Sequence, residues 1–115
     1  MVKVTVLYNL PPGTDEAHFV QWRMTAHHAA NISRPGVVRA DFYRILGTPR
    51  VGVDRPASES APFRFVTESY WESVESFESS WNDPIEQARL VPAVAKISDA
   101  LFLVSEELQT YIATD

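Results

Sequence analysis

The stretch HFVQWRMTAHHAANISRPGVVRADFYRI, residues 18–45, contains a helical pattern, a break and a strand pattern in that order. Its first half places large apolar side chains at helical spacing, beginning with Phe19 and Trp22. Pro35 and Gly36 interrupt this pattern, because proline lacks an amide hydrogen and glycine favours turns. The following segment, GVVRADFYRILG (36–47), is rich in β-branched and aromatic residues. The stretch therefore predicts a helix over about residues 15–31 and then a strand.

Patterns on either side of this stretch complete a fold. VKVTVLYN (2–9) alternates with a period of two and predicts a first strand. FRFVTESYW (63–71) predicts a third strand, residues 72–98 have helical spacing with an expected kink or restart at Pro92, and ALFLVSEELQTY (100–111) predicts a fourth strand. This order predicts an α+β, ferredoxin-like βαββαβ sandwich, in which a four-stranded antiparallel sheet carries its helices on one face. We expect residues 1–115 to form this one domain.

The sheet face that the helices leave open is expected to form an interface, because an exposed apolar face is a liability in a monomer. Val2, Val4, Val6 and Tyr8 share one face of the first strand, and residues 101–104 could extend that face. Two such sheets packed face to face by two-fold symmetry would make a dimeric α+β barrel. We therefore expect a homodimer.

Composition argues against several classes of function. The chain of 115 residues has a net charge of −5 and scattered arginines, whereas nucleic-acid binding needs clustered positive charge. It contains no cysteine, which excludes disulfides and thiolate metal ligands. No apolar run approaches the roughly 20 residues that cross a bilayer. We expect a cytoplasmic protein with no nucleic-acid or membrane partner.

Two adjacent histidines are the candidate chemical groups of the predicted helix. At about 100° per residue, His28 lies opposite the apolar arc and is expected to face solvent, whereas His27 lies at its flank beside Arg23. His27 could be a general acid or base, or a boundary histidine held by a hydrogen bond. Neighbouring helical side chains point apart and cannot share one ion, so no metal site is predicted. The arc itself consists of Phe19, Trp22, Ala26, Ala29 and Ala30.

Phe19, Trp22, His27 and the Pro35-Gly36 turn resemble, in order and spacing, the helix-to-strand signature of EthD-type dimeric α+β barrels. Residues 63–98 resemble the second half of that domain, where an acidic, aromatic strand end leads into a helix. The likeness extends from about residue 19 to residue 107, and REDY-like pigment-biosynthesis proteins are also similar. The chain departs from the pattern in having HHAANI where members often carry Pro-Leu after the histidine.

The resemblance implies a small-molecule tailoring protein of aromatic or polyketide-type metabolism. Barrels of this kind include cofactor-free decarboxylases, dehydratases, cyclases and isomerases, with ligands between the sheet and the helices of each protomer. His27 is then the candidate general acid or base, and no cofactor is expected. Two alternatives remain open: a non-catalytic ligand-binding accessory protein and a cofactor-free monooxygenase.

A small aromatic or polyketide-like ligand needs stacking surface and a few polar groups that orient it. If the valine face of the first strand forms the dimer contact, Asn9 faces the helices and can contribute to such a site. The candidate binding residues are Asn9, Trp22, Arg23, Tyr43, Phe65, Trp71 and Trp81.

Two carboxylates and one loop have alternative interpretations. Asp41 and Glu68 lie within strands, where each could pair with an arginine on a neighbouring strand or could orient His27. TPRVGVDRPASESAP (48–62) has no periodicity and is expected to be a loop or flap that could close over a pocket.

Overall fold

The computed structural model describes residues 1–114. Its elements in chain order are β1 (Val2–Asn9), α1 (Glu16–Trp22), a π-helical turn (Arg23–His27), α2 (His28–Ile32), β2 (Val37–Arg44), β3 (Phe65–Trp71), α3 (Val74–Trp81), α4 (Pro84–Val94) and β4 (Ser98–Glu106). The sheet order is β2-β3-β1-β4, and every neighbouring pair is antiparallel. The predicted ferredoxin-like α+β fold is confirmed.

Side-chain caps fix where the helices begin. The Asp15 carboxylate accepts a hydrogen bond from the His18 amide at 3.1 Å, so the first helix begins one residue after Asp15. Ser73 forms a capping box at the start of α3, and Asp83 caps α4.

The restart expected at Pro92 does not occur, because α4 continues through that residue and ends two residues later at Val94. Pro92 has no amide hydrogen to donate to the carbonyl of residue 88, so α4 loses one hydrogen bond there and continues for only two more residues.

The valine face of β1 packs beneath the helices, so its expected role as the dimer face was wrong. Val2 and Val4 are buried with Trp71 of β3 and Phe77 of α3. At the other end of the strand, a second cluster of buried side chains is formed by Tyr8, Phe19 and Phe65. The physical reason is that β1 has one strongly apolar face, and the apolar sides of the chain's own helices cover it before a second chain can.

The opposite face of the sheet carries both ion pairs and apolar side chains. Lys3 and Thr5 contact the Glu68 carboxylate at 2.8 and 2.9 Å, and Arg39 lies 3.0 Å from the Asp41 carboxylate. Both carboxylates therefore interact with side chains on the open face, away from the helices, and neither orients His27. The strand register places apolar residues between these pairs: Leu7, Tyr43, Val66, Leu101 and Leu103.

Residues 48–62 form an exposed excursion from the end of β2. Two backbone bridges, Thr48 to Ser58 and Val51 to Arg55, hold it in a hairpin-like shape. Gly47 has a φ of +148°, and a side chain there would collide with the Ser58 carbonyl oxygen. None of residues 48–62 lines the cavity described below, so this segment does not form a lid in the structure.

Candidate ligand-binding site

A cavity lies between the helices and the valine face of the sheet. It is continuous with solvent on one side, and about 80 Å³ of it is open to the centres of water-sized molecules. Its rings come from Tyr8, Phe19, Trp22, Trp71, Trp81 and Phe102, and its polar side chains from Arg23, His27, Asn31, Arg34, Thr67 and Ser69. An aromatic cavity with a few convergent polar groups is the usual form of a small-molecule site.

The π-helical turn over Arg23–His27 directs His27 into this cavity. In a regular α-helix, residues five apart point about 140° away from one another. A π-helix instead bonds residue i to residue i+5, which brings such residues into line. The rings of Trp22 and His27 accordingly stack, with centroids 4.7 Å apart and planes at 22°. π-turns of this kind occur frequently at functional sites.

The same turn overturns the expected apolar arc. A helical wheel at constant spacing omits the extra residue of the π-turn, so it wrongly assigns Ala26, Ala29 and Ala30 to the buried face. His28 is partly buried and lies outside the cavity lining. The residues after Trp22 that line the cavity are Arg23, His27, Asn31 and Arg34, whereas Ala26, Ala29 and Ala30 are exposed.

His27 is neutral at physiological pH. Burial, and after it the positive charges of Arg23 and Arg34, lower the pKa of its imidazole from 6.5 to about 4. A neutral imidazole has a free nitrogen lone pair and can accept a proton. His27 is therefore prepared to act first as a base rather than as an acid.

The sheet contributes a pair of hydroxyl groups to the cavity lining. The Tyr8 phenol and the Thr67 hydroxyl are 2.9 Å apart, and Arg23 Nη2 donates to Thr67 at 3.4 Å. Burial raises the pKa of Tyr8 despite the Thr67 and Arg23 contacts, so its phenol is neutral at physiological pH. These groups can donate or accept hydrogen bonds toward a ligand in the cavity.

The structure brings five of the eight predicted site residues to the cavity: Trp22, Arg23, His27, Trp71 and Trp81. It does not bring Asn9, Tyr43 or Phe65 there. Asn9 accepts from the Arg64 amide and donates to the Pro62 carbonyl, both at 2.9 Å, and so fastens the loop before β3. Tyr43 is 56% exposed on the open sheet face, and Phe65 is fully buried and stacked on Tyr8.

Several lining residues escaped the sequence-based prediction. Tyr8 and Thr67 lie on the valine face, so the alternation of β1 and β3 would identify them once that face is assigned to the helices. Asn31 and Arg34 have no such signal, because the π-turn and the break before β2 set their directions.

Within residues 1–114, no group of three or more histidine and acidic side chains could hold a metal ion. No helix in that range is long and apolar enough to cross a bilayer.

Comparison with solved structures identifies the fold. An EthD family protein from Bacillus halodurans C-125 superposes with a TM-score of 0.73 at 22% identity, covering 94% of this chain and 99% of that one. This chain has the EthD-like fold. HapK from Hahella chejuensis gives a TM-score of 0.70 at 20% identity over the whole of both chains. The resemblance to EthD-type and related barrels is thus confirmed at the level of the fold. No protein-family model matches the chain, and no curated protein is significantly similar to it.

Two enzymes and one dimeric protein of unknown function are among the solved structures with this fold. A hydroxynitrile lyase from Passiflora edulis has a TM-score of 0.68 at 17% identity, covering 96% of each chain. SnoaB, a cofactor-independent oxygenase from Streptomyces nogalater, has a TM-score of 0.64 at 16% identity, covering 95% and 94%. A dimeric ferredoxin-like protein of unknown function from Thermobifida fusca has a TM-score of 0.62 at 14% identity, covering 90% and 88%.

Proposed function

We propose that this protein is a cofactor-free tailoring enzyme for small aromatic or polyketide-like molecules, with His27 as its general base. The observation that carries the proposal is the Trp22–His27 stack at the wall of an aromatic cavity, with His27 held neutral. A ligand ring in the cavity would lie beside a base that needs no prior deprotonation. The reactions that fit are decarboxylation, dehydration, isomerisation and cyclisation, each of which includes a proton transfer.

The direction of the proton transfer follows from the lowered pKa. His27 takes a proton from a carbon or hydroxyl group of the ligand and becomes an imidazolium ion. Because burial and the two arginines disfavour that ion, it returns the proton readily to another atom of the same ligand. One residue can therefore complete an isomerisation or a dehydration without a metal or a cofactor.

The general-base role can be tested with 5-nitrobenzisoxazole, an aromatic probe that is not presumed to be the substrate. A base removes its ring C–H proton, the N–O bond breaks, and a coloured cyanonitrophenolate forms. The wild-type rate should rise with pH around 4 and be level above about pH 6, since the base is neutral there. His27→Ala should lose at least about tenfold of the rate, a typical effect for a positioned base.

His28→Ala is the matched control, because it removes a neighbouring imidazole that lies outside the cavity. It should retain the wild-type rate and pH profile. An equal rate for His27→Ala and wild type, with both proteins folded by circular dichroism, would contradict the proposal. A rate that rises only around pH 6.5 would place the reacting base elsewhere.

A cofactor-free oxygenase is the second candidate, favoured by the fold shared with SnoaB. It predicts oxygen consumption when a reduced quinol is added to the metal-free protein. A non-catalytic accessory protein predicts instead that aromatic ligands raise the melting temperature of wild type and His27→Ala equally. An oxygen electrode tests the first case, and a thermal-shift screen of both proteins with phenols, quinones, aromatic acids and lactones tests the second.

We also propose that the protein is a cytoplasmic homodimer that buries the open face of its sheet. Leu7, Leu101 and Leu103 lie together on that face, and a protein of the same fold is dimeric. Leu103→Asp should shift the sedimentation coefficient from dimer to monomer. Leu108→Asp is the control, because Leu108 is exposed beyond the end of β4. A monomeric wild-type protein at micromolar concentration would contradict this assignment.

A further inference from the structure

The Arg23 guanidinium is buried in the cavity wall without an acidic partner. Arg23 is 2% exposed, and no carboxylate of residues 1–114 forms an ion pair with it. Its polar contacts are a long hydrogen bond of 3.4 Å to the Thr67 hydroxyl and the neutral Tyr8 phenol, and its guanidinium carbon lies 4.7 Å from the centroid of the Phe42 ring. Nη1 is buried and has no hydrogen-bond partner. Arginine remains protonated in proteins, so this is a buried positive charge with unused donors.

The cavity as a whole is positively charged, although the protein is acidic. Its lining contains Arg23 and Arg34 and no aspartate or glutamate. Arg34 has one acidic neighbour, Glu86, at 3.3 Å from its Nε, and its Nη2 also has no hydrogen-bond partner in the described chain. The net charge of the whole chain is −5, so the lining of the cavity differs in sign from the protein as a whole.

An unpaired buried charge lowers the stability of a fold unless something compensates it. Buried arginines are normally paired with carboxylate or phosphate groups, which match the guanidinium geometry. The structure supplies no such group to Arg23, and the guanidinium lies in the wall of the cavity that would receive the ligand. We propose that the ligand of this cavity is an aromatic acid whose carboxylate binds Arg23. This inference rests on the proposal that the cavity binds an aromatic molecule, and it adds the charge that the molecule carries.

Anion binding at Arg23 would also affect His27. The Arg23 charge is one of the causes that lower the pKa of His27, so a bound carboxylate would cancel part of that effect. The base would then gain proton affinity only when an anionic ligand is present. Arg23 is thus assigned two roles, binding the ligand directly and tuning His27.

The test compares two ligands of the same shape that differ in charge: 2-naphthoate and 2-naphthamide. Isothermal titration calorimetry of the full chain should show at least tenfold tighter binding of naphthoate to wild type. Arg23→Met preserves much of the side-chain volume but removes the charge, and it should bind both ligands with similar affinity. Arg50→Met, in the exposed 48–62 loop, removes the same charge elsewhere and should keep the wild-type preference.

The thermal stability of the same variants provides an independent measurement. Because Arg23 has no acidic partner, Arg23→Met without ligand should melt at the same temperature as wild type or higher. A purely structural arginine would instead give a lower melting temperature in Arg23→Met. That result, with unchanged ligand preference, would overturn the inference.

The outcomes distinguish the inference from the proposed function. Equal binding of naphthoate and naphthamide to wild type would refute the anionic ligand but support an aromatic site. A naphthoate preference that survives in Arg23→Met, or that is lost in Arg50→Met, would refute the role of Arg23. Failure of both ligands to bind would count against the aromatic site itself and therefore against both proposals.

Discussion

We predict that His27 makes the folded protein less stable in acid. In the folded chain, burial and two arginines hold the pKa of His27 near 4, against 6.5 for an unperturbed histidine. Well above pH 6.5 the imidazole is neutral in both states and has no effect on stability. Below that pH the unfolded chain binds a proton that the folded chain cannot bind until pH 4. Stability is therefore lost as the pH falls through this window.

The size of the effect follows from the two pKa values. Their difference corresponds to a total of about 3 kcal/mol, because one pKa unit is about 1.4 kcal/mol. Integrating proton binding gives a loss of about 1 kcal/mol at pH 6, about 2 at pH 5 and about 3 at pH 4. For a domain whose total stability is of the order of 5–15 kcal/mol, this is readily measured.

Urea unfolding of wild type and His27→Gln between about pH 8 and pH 4 measures this contribution. Carboxylates titrate in both proteins, so the difference between the two stability curves isolates His27. Wild type should lose about 2 kcal/mol more than His27→Gln between pH 8 and pH 5. His28→Gln should follow wild type. Parallel curves for wild type and His27→Gln, at one protein concentration, would show that His27 is not held neutral by the fold.

Three further predictions concern the scaffold. Glu86→Gln should lower the free energy of unfolding by about 3 kcal/mol, because it leaves the buried Arg34 charge unpaired; denaturant titration measures this. Gly47→Ala should destabilise the fold far more than Gly13→Ala, because only the alanine at position 47 meets backbone atoms. Equal melting temperatures of the two variants would contradict this. Phe65→Ala should cost about 3–5 kcal/mol through the cavity that it leaves in the core, without changing ligand binding, since Phe65 does not line the site.

The sequence determines the order of the elements because their signals are local. Period-two alternation in VKVTVLYN, helical spacing after Asp83 and the Pro35-Gly36 break each depend on a few neighbouring residues. These signals also specify the fold class, since few topologies accommodate strand, helix, strand, strand, helix, strand in one sheet. The cap at Asp15 lies where the sequence pattern places the start of the first helix, because a cap needs only its own first turn.

The site depended on features that no local pattern contains. The valine face of β1 could be covered by the chain's own helices or by a second copy of the sheet. From the sequence we assigned it to the second copy, and this error placed Asn9 in the site and left out Tyr8. The direction of His27 depends on one extra residue in a helical turn, which shifts every later side chain while leaving composition and periodicity almost unchanged. The absence of an acidic partner for Arg23 in the described chain is a property of the packed core alone. Sequence thus determined the architecture, and tertiary packing decided which side chains meet within it, because contacts between distant residues depend on faces and directions that are set only when the layers close.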